Sequence, residues 1–413
     1  MSACTKEAIL QATNFKVGSF PFKYLGVPFS PQRLLASQFS PLLHKLESTI
    51  QCWMGKHLSY VGCLELLMSV LHGMVLFWLA IFPLPATIIN HISCICRNFL
   101  WSGNISGNKS VMVASKTVCL PKHEGGLGLV DIKARNISYL AELLWNNHLK
   151  TDSLWIQWVH HFYLRNQSVW NAGFKKSSSP LWKSILFRKD QLVQECGGHS
   201  QVISLMQNWQ NNANSYTANA FEHLRPKGTP VSWSWIVWEH WSLPRCNFVL
   251  WLALLGKLKT KDRLVYAQLD TCCIFCSQTE ESHAHLFFAC TWISTLWGKI
   301  KSWLRINRHM NSLCSAVRGL KAGEKSLETR MPRLSLGLVV YLIWKERNMR
   351  IFEHTATSVD LLFRQFQITF YTILYFHDKN PYAFNVYDWD GFVVGFWVVV
   401  LRKGCPVGWW CGL

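Results

Sequence analysis

The sequence predicts a mainly α-helical protein in two lobes: a larger N-terminal helical lobe, then a smaller one stapled by cysteine and histidine. Two observations predict it. Leu35, Phe39, Leu42, Leu46 and Ile50 recur at steps of three and four, and similar periods return further along the chain. The run Cys272-Cys273-Ile274-Phe275-Cys276 is followed by His285 and Cys290, which gives the spacing Cys-x2-Cys-x8-His-x4-Cys.

Taken in order, residues 1–30 read as irregular or extended, punctuated by Gly26 and Pro28. An amphipathic helix follows over 35–50. A strongly apolar helix from Tyr60 to Phe82 is stopped by Pro83 and Pro85. Ile88 to Trp101 resumes the helical period and ends near Gly103. Val111 to Cys119 is a short strand or helix. Gly125-Gly126-Leu127-Gly128 lacks the spacing of a dinucleotide loop and reads as a chain reversal. Ile137 to Leu149 is helical. Over 165–230 the pattern weakens, and Ser177-Ser178-Ser179-Pro180 and Gly197-Gly198 mark loops, so this stretch is expected to be a linker or irregular. Trp233-Ser234-Trp235 opens a region of 231–300 that contains a helix from Asn247 to Leu258. Helices are expected near 334–352 and 358–376, within a helical region 301–376, and an irregular tail over 377–413.

In the cysteine–histidine run, Cys273, Cys276, His285 and Cys290 supply three thiolates and one imidazole, the donor set of a closed tetrahedral zinc site. No position is left for water, so the zinc is expected to be structural. Cys272 can replace Cys273, and His283 can replace His285. His285 and Cys290, five apart, do not share a face of an ideal α-helix, so His285 should sit on a helical turn and Cys290 just past its end.

The 413 residues, half of them hydrophobic and 22 of them Trp, are ample for packed cores and argue against disorder. Fifteen Cys are too few for a disulfide scaffold, and the opening residues lack a charged region followed by an apolar core. A reducing intracellular location, nucleus or cytoplasm, is expected. Leu66 to Leu84 reaches the length of a membrane span, but Ser69, His72, Gly73 and Pro83 interrupt it, and a helix buried on all sides is the expectation. The net charge of +19 suits a polyanion such as RNA or DNA, bound without sequence preference. Candidate contacts are Lys257, Lys259, Lys261 and Arg263 beside the metal ligands, and Lys345, Arg347 and Arg350 in an aromatic-flanked run.

Several stretches, in order, resemble the C-terminal part of plant non-LTR (LINE-type) retrotransposon reverse transcriptases. They are Tyr24-Leu25-Gly26-Val27-Pro28, Lys56-His57-Leu58-Ser59-Tyr60-Val61-Gly62, Phe77-Trp78, Phe99-Leu100-Trp101-Ser102-Gly103 and the Gly125–Gly128 turn. Trp233, Trp235, Trp251, Asp262-Arg263-Leu264, the Cys/His set, Trp297 and Ile343-Trp344-Lys345-Glu346-Arg347-Asn348 continue the series. The resemblance implies a thumb-like helical region over 20–164 and a reverse-transcriptase zinc-binding domain over 231–300. It also implies that the polymerase palm is absent. Two-metal phosphoryl transfer needs clustered carboxylates, and the nine Asp include no adjacent pair. Residues 381–413 are too few for an RNase H region. The expectation is a non-catalytic, zinc-binding fragment that binds nucleic acid, with a palm-bearing reverse transcriptase chain supplied in trans and no small-molecule substrate. A zinc-stabilised protein-interaction module is the alternative.

Overall fold

The computed structural model describes residues 3–377, apart from 15–17, 19, 25, 31–33, 55–57, 107–109, 166, 176–177, 264–269 and 321–325. Leu25, Lys56, His57, Leu264 and residues 378–413 of the expected tail therefore lie outside the described residues. The chain is mainly helical, with one two-stranded antiparallel sheet among the described residues. It divides into two compact units, Met1–Trp235 and Ile236–Leu413.

Unit 1 opens with α1 (Ala3–Thr13), where irregular chain was expected. The hairpin β1 (Phe22–Tyr24) and β2 (Val27–Phe29) turns at Gly26, whose φ of +82° suits glycine. Helix α2 (Ser40–Gln51) buries Leu42, Leu46 and Ile50, the stripe read from the sequence. Ser59 caps α3 (Tyr60–Leu66) by accepting the Gly62 N–H. A π turn, Leu67–Leu71, then joins it to α4 (His72–Ile81). This continuous helix is buried on one side only. Leu67, Leu71 and Val75 are inside, whereas Met68, Phe77 and Ile81 are at least 40% exposed, which corrects the expectation of burial all round. Tyr60–Ile81 is long and apolar enough to cross a membrane by length and composition.

Helix α5 (Ala86–Ser102) ends at a left-handed Gly103. The segment 111–119 resolves as the short helix α6 (Ser115–Val118). Asp131 caps α7 (Ile132–Leu149) through the Ala134 N–H. The Leu84 N–H donates to Asn136 Oδ1 at 3.1 Å and Asn136 Nδ2 donates to the Leu84 carbonyl at 3.2 Å, which clasps the proline-flanked link to α7.

The largest departure from expectation lies over 165–230. After α8 (Leu154–Val159) come α9 (Pro180–Cys196), α10 (His199–Asn211) and α11 (Tyr216–Leu224). Ile185, Leu186, Val202, Met206 and Trp209 form one core with Leu144 and Trp145 of α7. The supposed loop markers are helix caps. Ser179 accepts the Trp182 N–H, Pro180 occupies the first turn, and Gly197 is the left-handed residue that closes α9.

A buried ion-pair cluster fixes the end of this unit. Both Arg225 Nη atoms donate to Glu124, at 2.8 and 2.6 Å, and Gly228 N–H donates to the same carboxylate at 2.8 Å. Arg225 holds the Glu124 carboxyl down at about 2. Glu124 is carried by the turn that contains Gly125-Gly126-Leu127-Gly128. A Cβ on Gly126 would fall on the backbone carbonyls of Leu120 and Thr117. Gly126→Ala is therefore expected to destabilise unit 1 by about 2–3 kcal/mol, within the range for overpacking, as read by denaturant midpoint. An unchanged midpoint would show that the turn relaxes freely.

The short helix α12 (Ser234–Val237) spans the division, and unit 2 continues with α13 (Pro244–Leu254), α14 (Thr291–Trp303), α15 (Leu313–Arg318), α16 (Leu327–Asn348) and α17 (Val359–His377). Helix α13 packs on α16, and α14 and α16 pack on α17. Trp303 stands edge-on to Phe366 and Phe370, with centroids 5.8 and 5.5 Å away. The two C-terminal helices fall where periodicity placed them.

Candidate metal centre

Cys273 and Cys276 sit on a tight reversal. Cys273 N–H donates to the Thr279 carbonyl, Glu281 N–H to Thr271, and Ser277 N–H back to Cys273 at 2.8 Å. Ser277 takes a positive φ of 54° to close the turn. A C-x2-C turn of this kind aims two sulfurs at one point. The other pair comes from a π turn, His285–Ala289, closed by the Cys290 N–H donating to the His285 carbonyl at 2.9 Å. An i→i+5 bond brings residues five apart onto adjacent turns, which an α-helix cannot do. Cys290 then serves as the N-cap of α14.

The result is a cluster in which the donor atoms of Cys273, Cys276, His285 and Cys290 all lie within 4.8 Å of one another. Cys273 and Cys290 sulfurs are 3.9 Å apart, and Cys276 Sγ is 3.3 Å from His285 Nε2. Zinc–sulfur bonds of about 2.3 Å at tetrahedral angles give sulfur–sulfur edges of about 3.8 Å. Three sulfurs and one imidazole at this spacing therefore fit zinc, and Nε2 is the nitrogen that faces the cluster. The Thr279 hydroxyl lies 3.1 Å from the His285 ring nitrogens and is placed to orient it. Backbone N–H groups of Phe275 and Cys276 favour the Cys273 thiolate, and those of Trp292 and Ile293 favour the Cys290 thiolate. The Cys273 thiol donates to Cys290, which lowers Cys290 and, with burial, raises Cys273. A dication bound between them would displace that shared proton. The two alternative donors lie elsewhere. Cys272 is outside the cluster, and the His283 ring nitrogen is 2.9 Å from the Leu258 carbonyl.

The basic residues expected to meet nucleic acid divide sharply. Arg347 is 2% exposed and Glu281 is fully buried, and they form a salt bridge of 2.7 Å. Glu281 also accepts the Lys261 backbone N–H at 2.9 Å. Arg350 donates to Glu346 at 2.8 Å and lies 4.7 Å above both the Phe275 and Trp292 rings, which stack on each other. Lys261 Nζ donates to the Cys272 carbonyl at 2.6 Å, and Arg263 donates to the Gly256 carbonyl. Arg347, Arg350 and Lys261 are therefore engaged by protein groups around the cysteine turn. Their spacing fits a cationic helix face equally well, and only the partners reveal the difference. Lys257 is exposed, and Lys259 and Lys345 are half-buried.

Sequence reading missed Glu281, which ties the cysteine turn to α16. A lone Glu beside Glu280 carries no burial signal, so nothing in the spacing marked it.

Residues 216–297 match the family described as zinc-binding in reverse transcriptase, and the four-residue cluster falls inside that segment. The chain thus carries a reverse-transcriptase zinc-binding region, as the motifs implied. It is also 31% identical over 162 residues to an Arabidopsis thaliana protein named "Putative ribonuclease H protein". That match covers 38% of this chain and 26% of the relative, so the chain spans about a quarter of the length of the curated relative it matches.

Proposed function

We propose that this chain is a zinc-stapled, nucleic-acid-binding region of a plant LINE-type reverse transcriptase, without catalysis of its own. The observation that carries the reading is the coincidence of the reverse-transcriptase zinc-binding match with a Cys3His cluster at tetrahedral spacing. Cys273, Cys276, His285 and Cys290 hold one structural zinc, which closes the turn onto the start of α14. The charge of +19 supplies attraction to RNA or DNA that is independent of sequence. Among the described residues, this is the one group of three or more His, Cys, Asp or Glu placed to share a metal, and its soft donors suit zinc rather than magnesium. Polymerisation therefore belongs to a palm supplied by other residues, in trans or upstream. An intracellular, reducing location keeps the thiols available for metal.

The engagement of Arg347, Arg350 and Lys261 inside unit 2 gives the alternative, a zinc-stabilised protein-interaction module, its own support. Salt dependence separates the two. The full chain should bind a short oligouridylate in the micromolar range at physiological salt. Each phosphate contact contributes about 0.7 to the slope of log affinity against log salt for single strands. Lys257→Ala with Lys345→Ala should flatten the slope by about 1.4 while zinc content is unchanged. Absent binding, or an unaltered slope and affinity, favours the interaction module.

A further inference from the structure

Unit 1 holds a cavity of ≈ 260 Å³ that the zinc region does not involve. One wall is a single face of α5, where Ser93, Cys96, Arg97, Leu100 and Trp101 follow the helical i, i+3, i+4, i+7, i+8 spacing. The facing wall comes from α6 and the segment that leads into α7, including Lys116, Cys119 and Asp131.

His72 reaches the cavity because of the π turn before it. Its backbone N–H bonds the Leu67 carbonyl, five residues back, which shifts the register of α4 against α3. The residue is 5% exposed and lines the cavity. Burial pushes its pKa down to about 4, so at neutral pH the ring is uncharged and offers one donor and one acceptor.

The remaining lining narrows the ligand. Burial pushes Cys96 and Cys119 up to about 12, so both are neutral thiols. Asp131 is occupied in capping α7. The cations Arg97 and Lys116 line the cavity and are exposed, and Arg97 Nη2 donates to the weakly accepting Cys94 sulfur at 3.2 Å. The volume falls below the roughly 300–1,000 Å³ of drug-sized sites, so one heterocycle fits and little more. Apolar walls, a neutral donor–acceptor ring inside and two exposed cations match a nucleobase with its phosphates.

We infer that this cavity receives one unstacked nucleobase of a bound single strand, with its flanking phosphates on Arg97 and Lys116. The inference rests on the nucleic-acid reading above and assigns it a site in unit 1. It is tested on the full chain with an oligouridylate that carries 4-thiouridine, irradiated and mapped by peptide mass spectrometry. Crosslinks are expected in the peptides that span 93–101 and 115–119. Lys116→Ala, at an exposed position, should lower their yield about threefold and flatten the salt slope by about 0.7. Ser93→Tyr, which adds a ring to the α5 wall of the cavity, should abolish these crosslinks while helical circular dichroism is retained. An oligonucleotide that binds but crosslinks elsewhere, with yields indifferent to both variants, overturns the base site and leaves the nucleic-acid reading standing. No binding at all overturns both.

Discussion

Chelation of the metal is expected to open residues 271–300 while the core built by α7, α9, α10 and α11 stays folded. Purified under reducing conditions, the full chain should carry about one zinc with a shell of three sulfurs and one nitrogen. In small metal-stapled domains the binding free energy is folding free energy, on the order of 10 kcal/mol at neutral pH. Here the staple joins the cysteine turn to the π turn and the start of α14. The Phe275–Trp292 stack and the Arg350 side chain above it depend on the turn being closed. Hydrogen exchange should therefore accelerate by orders of magnitude over 271–300 after chelation, and remain slow over 180–224. Cys276→Ser should reproduce the effect. Cys272→Ser should leave zinc content near one, because that sulfur lies outside the cluster. Freshly reduced protein without zinc would sink the assignment. So would full zinc in Cys273→Ser, which would move the ligand to the adjacent cysteine.

How much of this was legible follows from what each signal encodes. The stripe Leu42, Leu46, Ile50 reports burial directly, so α2 was readable. The four donors were readable because metal chemistry restricts both residue type and spacing. The π turn that aligns His285 with Cys290 was not readable, since one extra residue per turn leaves no mark in composition. Helices α9 to α11 were hidden for another reason. Their buried faces carry Trp182, Ile185, Leu186 and Leu192, then Val202, Met206 and Trp209, at helical spacing, but their caps use Ser, Pro and Gly, the residues that also mark loops. Charge is ambiguous in the same way. Arg347 and Arg350 sit at a spacing that fits a solvated or phosphate-binding face, yet their partners Glu281 and Glu346 are both buried. An ion pair across 66 residues has no local sequence signature.

That ion pair sets the second large effect. Arg347→Met is expected to cost unit 2 about 3–5 kcal/mol, because it leaves the carboxylate of Glu281 buried without its guanidinium. Glu281 is fully buried and takes its bonds from Arg347 and from one backbone N–H of Lys261. A single backbone donor does not replace a fork of charged ones. The double variant Glu281→Leu with Arg347→Met should recover most of the loss, since apolar residues of similar volume tolerate such a site. Urea denaturation of the four proteins of this cycle, with zinc measured in each, gives the coupling directly. A phosphate-binding role for Arg347 makes the opposite forecast. Stability would then change by less than about 0.5 kcal/mol, as for an ordinary surface site, while oligouridylate affinity and its salt slope both fell. The 2.7 Å bond at complete burial favours the first outcome, in which the cation once read as a nucleic-acid contact instead anchors α16 to the segment that leads from the cysteine turn to His285.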